Sequence, residues 1–227
     1  MITLFIATRN AHKVVEIRAI LGEKFRYLTL NDIPGSPDVA EDAGTFAGNA
    51  TKKAVALAQW LTQVRTVKGG VRIGGAEADV SRQTFALADD SGLEVDALGG
   101  APGVHSARFA ALDTGAPGNS PTEQNNAKLL RLLKDVATPG RTARFRCVIA
   151  LAPVCHSGEF EAQTELFEGV CEGRIGFEPL GCGGFGYDPL FTPSGCGQTF
   201  AELGEDVKNT LSHRAKALVK VKLRLCN

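Results

Sequence analysis

The stretch "ITLFIATRNAHKVVEIRAILG", residues 2–22, constrains the fold more than any other part of the chain. Residues 2–8 are a run of β-branched, aromatic and aliphatic side chains with hardly a polar break, the pattern of a buried strand. The "RNAH" that follows turns the chain. Beyond it Val14, Ile17 and Leu21 recur at helical spacing, and Gly22 stands where a helix end favours glycine. A buried strand running through a tight turn into a helix opens an α/β unit, so the expected class is α/β.

The remainder of the chain extends that pattern. Residues 30–44 are loop-like, punctuated by Pro34, Gly35 and Pro37. Thr45 is placed to cap a helix running to about Val64, with Ala50, Ala54, Leu57, Leu61 and Val64 as its apolar stripe. Residues 68–83 are Gly-rich and polar without a clear period, and read as a surface excursion. "TFALA" is then a short strand delivering Asp89 and Asp90 at its end. Gly99, Gly100, Pro102 and Gly103 predict an ordered turn, and "SPTE" at 120–123 has the form of a capping box opening a helix to about Val136. Residues 143–154 and 159–169 read as two long strands, joined by a hairpin at 156–158, and 207–225 as a helix-rich tail. No internal repeat or linker is visible, so residues 1–227 are expected to form one domain, with two lobes.

Length and charge exclude several classes of function. At 227 residues the chain can bury a full core. Its 25 basic and 25 acidic residues balance, which argues against a general nucleic-acid or membrane-surface binder. The opening residues lack a basic leader and no run suits a membrane span, so the expectation is a cytoplasmic protein. Cys147, Cys155, Cys171, Cys182, Cys196 and Cys226 form no CxxC pair, which speaks against zinc and for free thiols.

Four segments can carry chemistry. Asp89 and Asp90, at a strand end of an open α/β sheet, can hold a hard divalent cation and activate a water, or simply cap a turn. Thr8, Arg9, Asn10, Ala11, His12 and Lys13 lead into a helix N-terminus, which suits phosphate, although neither GxxxxGK[ST] nor GxGxxG is present. "GGFGYDP" at 183–189 permits close backbone approach, with Phe185 and Tyr187 able to stack on a base, or else it is a tight corner with its aromatics in the core. Lys208, Ser212, His213 and Arg214 can donate to keto oxygens or phosphate, or form a solvated basic helix face. Lys53, Glu41 and Asp42 have ordinary surface readings when taken singly.

As an ordered set these segments resemble one family. "ATRNAHKVVEI", "ADDSGLEVDALGGAPGVHSARFA", "GGFGYDPLF", "TFAEL" and "KNTLSHRAKAL" span nearly the whole chain and resemble the inosine/xanthosine triphosphate pyrophosphatases, also called HAM1-like. The resemblance implies an elongated mixed sheet with flanking helices in two lobes around a nucleotide cleft, and a homodimer. It implies hydrolysis of ITP, dITP and XTP between the α- and β-phosphates with Mg²⁺, which keeps deaminated bases out of DNA and RNA. Carried over by position, it makes Asp90 the proton acceptor and metal ligand, with Asp89 beside it, Ser91 touching substrate and Glu41 a second metal residue. Residues 8–13 and Lys53 would meet phosphate. Phe185, Gly186, Tyr187 and Asp188 would meet the base, and Lys208, His213 and Arg214 would read the nucleotide, with Arg108 a further contact. His105 stands where the family usually has Tyr, and "EDAGTF" is one residue shorter than the usual pattern. A Maf-type pyrophosphatase and a catalytically silent nucleotide sensor are the competing functions. "SHR" and "FGYDP" disfavour the first; Asp89, Asp90 and Lys13 disfavour the second.

Overall fold

The computed structural model describes residues 1–68, 71–73, 76–78, 83–154 and 163–226, and of 65–68, 71–73 and 76–78 the backbone alone. In chain order the elements are β1 (Ile2–Ile6), α1 (Ala11–Leu21), β2 (Phe25–Thr29), α2 (Phe46–Lys68), β3 (Val71–Ile73), β4 (Ala76–Ala78), β5 (Thr84–Val95), α3 (Thr122–Leu132), β6 (Thr142–Pro153), β7 (Glu165–Ile175), β8 (Phe191–Pro193), α4 (Phe200–Leu203), α5 (Glu205–Leu211) and α6 (His213–Cys226). Six strands form one mixed sheet in the order β2-β1-β5-β6-β7-β8. β1 is parallel to β2 and to β5, whereas β7 and β8 are antiparallel. With helices flanking the sheet, the class is α/β. The chain divides into two compact units, the first made of Met1–Asp90, Val148–Glu168 and Ala217–Asn227, the second of Ser91–Cys147 and Gly169–Lys216.

In the first unit, Leu4, Phe5 and Ile6 of β1 are completely buried, as are Ile17 and Leu21 of α1. The Asn10 carboxamide caps α1, accepting from the His12 and Lys13 N–H groups, and Gly22 closes it at φ 83° with its N–H on Arg18 O. Ala50, Ala54, Leu57 and Leu61 of α2 are buried as the stripe requires, and the Thr45 hydroxyl accepts from Gly48 N–H at 3.0 Å. α2 continues four residues beyond Val64. Within the supposed irregular excursion 68–83, β3 and β4 pair antiparallel. Three residues a side are too few to print an alternating pattern; residues 69–70, 74–75 and 79–82 of that excursion, Cys155 and the hairpin at 156–158 lie outside the described residues.

The second unit is built on Phe145, Phe191 and Phe200, with Phe145 and Phe191 meeting edge to face at 4.7 Å. Arg141 is only 1% exposed. Its guanidinium donates to the carbonyls of Leu133, Val136, Ile175 and Gly176, at 2.6 to 3.3 Å, and lies 4.3 Å from the Phe177 ring centre. One planar cation thereby satisfies the chain end after α3 and the end of β7 together.

Three local expectations need correction. β5 does not end at Ala88 but runs through Asp89 and Asp90 to Val95. "SPTE" forms no capping box: Pro121 occupies the cap position, and the Ser120 hydroxyl accepts instead from Ala111 N–H at 2.8 Å. Of the strand expected at 159–169, residues 159–162 lie outside the described residues, and the described strand runs from Glu165 on to Ile175. Ser120 is drawn to a partner nine residues back instead of to its own helix. Because Arg141 serves four carbonyls, Arg141→Met is expected to cost about 3–5 kcal/mol of stability in chemical denaturation; a loss under about 1 kcal/mol would show the carbonyls to be satisfied otherwise.

Candidate active site

The ladder between β1 and β5 ends at Ile6–Leu87, with Ala7 N–H bonded to Leu87 O at 2.8 Å. β5 continues beyond it, so Asp89 and Asp90 lie past the carboxyl end of β1, where parallel α/β sheets place ligands. They were expected there as a strand end; the structure makes them the middle of a strand whose β1 ladder has stopped. Both are buried, at 2% and 6% exposure. The Lys13 ammonium, from the first turn of α1, donates to Asp89 Oδ1 at 2.5 Å. The Lys53 ammonium, from α2, donates to Asp89 O at 2.9 Å, Asp90 Oδ1 at 3.0 Å and Glu41 Oε1 at 2.7 Å. One turn before Lys53, the Asn49 carboxamide donates from Nδ2 to Asp90 Oδ2 at 3.2 Å and accepts at Oδ1 from Ala43 N–H at 2.9 Å.

The charges in this group oppose one another. Burial raises the Asp90 carboxyl above its ordinary range; Lys53 and then Lys13 pull it down, and Glu41 pushes it up again. Burial by itself would lower Lys53, but Asp90 and Glu41 outweigh it and hold the ammonium charged. Glu41 and Asp90 thus present oxygens to one cationic point. Hard oxygen donors in that number suit a divalent ion that keeps most of its shell for water and substrate, as Mg²⁺ does. No group of three or more His, Cys, Asp or Glu side chains placed for a metal exists among the described residues.

The segment 8–13 is only partly directed at this group. Arg9 pairs with Asp38 at 2.6 Å on the surface, and Thr8 Oγ1 accepts from Asn10 N–H. The helix N-terminus expected to offer open amides has two of them, on His12 and Lys13, taken by Asn10. Ala11 and His12 are exposed, and Lys52 pairs with Asp42.

In the second unit the "GGFGYDP" segment folds around Asp188. Its Oδ2 accepts from Phe185 N–H at 2.8 Å and from the Lys208 ammonium at 2.5 Å. Gly184, at φ 70°, brings its backbone so near Asp188 that a β-carbon would collide with the carboxylate. Lys208 lies 4.4 Å and the Arg214 guanidinium 5.7 Å from the centre of the half-buried Phe185 ring. Lys208, His213 and Arg214 are 3%, 4% and 1% exposed, so they are not a solvated basic face. Arg214 donates to Ser91 Oγ at 3.2 Å, and the His213 ring stacks on Phe145 at 4.7 Å. Tyr187 belongs to the core, its hydroxyl on Ser106 O at 2.8 Å, so of the two rings it is Phe185 that is left half-buried. Arg108 is half-buried at the end of a short 3-10 stretch, Gly103–Arg108.

Residues 4–223 match the model of the Ham1 family. This chain belongs to the Ham1 family. It is 46% identical over 218 residues to a dITP/XTP pyrophosphatase of Desulforamulus reducens, covering 96% of this chain and 92% of that protein. It is 45% identical over 223 residues to one of Geobacter sulfurreducens, covering 98% and 96%. Among solved structures, a HAM1 protein from Coxiella burnetii shares 33% identity at a TM-score of 0.76, covering 100% of this chain and 99% of that one. The Staphylococcus aureus Ham1 protein shares 31% at 0.74, covering 98% and 97%.

Two residues that pattern reading passed over stand beside the family's motifs. Asn49 reaches Asp90, and Asn126 of α3 donates to Gly186 O at 3.2 Å. Both are buried asparagines in helices, where Asn is a weak helix former and a costly polar group; that conflict was the available signal. The electrostatics yield a pH test. A base must be ionised to act, so with Asp90 as the base its raised carboxyl would put the acid limb of the kcat/KM profile above the usual aspartate range. Lys53→Met removes the strongest downward pull and is expected to move that limb to still higher pH; an unmoved limb would assign it to another group.

Proposed function

We propose that this Ham1 protein hydrolyses the deaminated purine nucleoside triphosphates ITP, dITP and XTP to the monophosphate and pyrophosphate, with Mg²⁺. The observation that carries the reading is the Lys13–Asp89 and Lys53–Asp90–Glu41 cluster past the β1 ladder, with Lys53, Asp89 and Asp90 buried, and the activity named for the relatives supports it. In this reading water attacks the α-phosphorus, its proton passes to Asp90, and the bond to the β-phosphate oxygen breaks to release pyrophosphate. Asp89 holds Lys13 in place. Lys13 and Lys53 bind phosphate charge, with Thr8 and Arg9 adding side-chain donors and Asn10, Ala11 and His12 forming the turn that carries them. Glu41 and Asp90 would hold the cation, which supplies charge neutralisation and a more acidic water.

The second unit carries the groups assigned to the nucleoside. Phe185 provides the ring face, Gly186, Tyr187 and Asp188 the backbone and carboxylate around it, and Lys208, His213 and Arg214 the donors, with Ser91 and Arg108 as further contacts. A 6-keto purine accepts at that position where adenine presents an amino group, so buried donors left unpaired by ATP cost about 1–3 kcal/mol each. The same reading takes the protein as a cytoplasmic homodimer whose partner is the nucleotide and neither nucleic acid nor membrane; the balanced charge supports the last point. No helix among the described residues is long and apolar enough to cross a membrane.

The deciding measurement is pyrophosphate release with Mg²⁺ from ITP, XTP, GTP, ATP and dTTP. Preference for ITP and XTP is expected; turnover of dTTP instead would indicate Maf-type chemistry, and binding without turnover a sensor. Asp90→Asn is expected to lower kcat by about 10²–10⁴-fold with the fold retained, as loss of a general base does. Arg214→Ala is expected to reduce kcat/KM for ITP more than for ATP, and equal loss on both would move base reading elsewhere.

A further inference from the structure

We infer that Asn49 is a positioning residue, holding the Asp90 carboxylate and the loop that carries Glu41 in one arrangement for cation binding and water activation. The inference rests on the role proposed above for Asp90. Asn49 lies in the first turn of α2 with no exposed surface. Helix propensity and burial both disfavour asparagine at such a place unless its amide is fully used. It is used at both ends: Nδ2 on Asp90 Oδ2 at 3.2 Å, and Oδ1 on the N–H of Ala43 at 2.9 Å. A rigid planar amide with a donor at one end and an acceptor at the other can join a carboxylate to a backbone N–H in this way. Ala43 is two residues after Glu41, so the acidic loop is tied to β5 through this one side chain.

Lys53 completes the arrangement from the next turn of the same helix, taking Asp90 Oδ1 at 3.0 Å and Glu41 at 2.7 Å. The Asp90 carboxylate is therefore held through both oxygens from two successive turns, and rotating it would break one bond or the other. The two donors differ in kind. The ammonium neutralises the carboxylates and opposes a second cation at the same oxygens. The amide orients Asp90 without adding charge, so it keeps the carboxylate in place when a divalent ion arrives. Groups that orient metal ligands in this way are typically worth about 10–100-fold in affinity or activity.

The test compares Asn49→Leu, which keeps the branching and number of side-chain heavy atoms without the amide, and Asn49→Ser, which keeps a small polar group, with Asn125→Ala. Asn125 is another buried helical asparagine, bonded to Ala110 N–H and Ala107 O in the second unit. Mn²⁺ binding without nucleotide is read by electron paramagnetic resonance, kcat and KM for ITP by pyrophosphate release, and stability by thermal unfolding. Both Asn49 variants are expected to bind Mn²⁺ about 10–100-fold more weakly and to lose a similar factor in kcat, with KM for ITP nearly unchanged; Asn125→Ala should lose thermal stability alone. If Asn49→Leu does not fold, Asn49→Ser decides. Folded Asn49 variants with wild-type Mn²⁺ affinity and kcat would overturn the assignment. If the wild-type protein turns over no nucleotide, the proposed activity fails, while the Mn²⁺ comparison still decides the role of Asn49.

Discussion

One buried ammonium organises the first unit. Lys53 sits 9% exposed and reaches a backbone carbonyl and two carboxylates on separate segments. Without it Asp90 and Glu41 would be two negative charges meeting where burial already resists ionisation of Asp90. With it, α2, β5 and the 38–44 loop share one charge-compensated point. The arrangement is stable as a structural ion cluster, yet its anions are the hard oxygens that a divalent cation and a phosphate-bound water need nearby.

The second unit repeats the device with a different purpose. Lys208 and Asp188 are each about 3% exposed at the side chain and 2.5 Å apart. Asp188 also accepts from the backbone of Phe185, so the ion pair sets the shape of residues 184–188 and holds Lys208 against the Phe185 ring, which Arg214 also approaches. In the first unit the buried ammonium gathers carboxylates from separate segments; in the second it presents a ring and donors. Under the proposed function those are the different demands of a triphosphate and a nucleobase.

Much of this was legible in the chain, and the reason differs by element. β1, α1 and α2 declared themselves because their apolar residues follow the period of a single element, and their caps, Asn10, Gly22 and Thr45, act within a few residues. Asp89, Asp90, Lys13 and Lys53 were legible as candidates, but their mutual contacts were not. "SPTE" misled because Ser120 found a better partner in Ala111, nine residues back along a chain that returns to within hydrogen-bond reach. Tyr187 and Phe185 looked equivalent in sequence; only packing put one in the core and left the other half-buried.

By itself the sequence determined the α/β class, the first strand and its helix, the family, and which side chains could carry chemistry, since each depends on local periodicity or on ordered motifs along the chain. Tertiary structure alone decided that β5 continues past Asp90 and that Arg141 serves four carbonyls. It also decided that Asn49 and Lys53 grip the two oxygens of one carboxylate. These facts depend on residues brought together from distant parts of the chain, and no local spacing records where a folded backbone will place a donor opposite an acceptor.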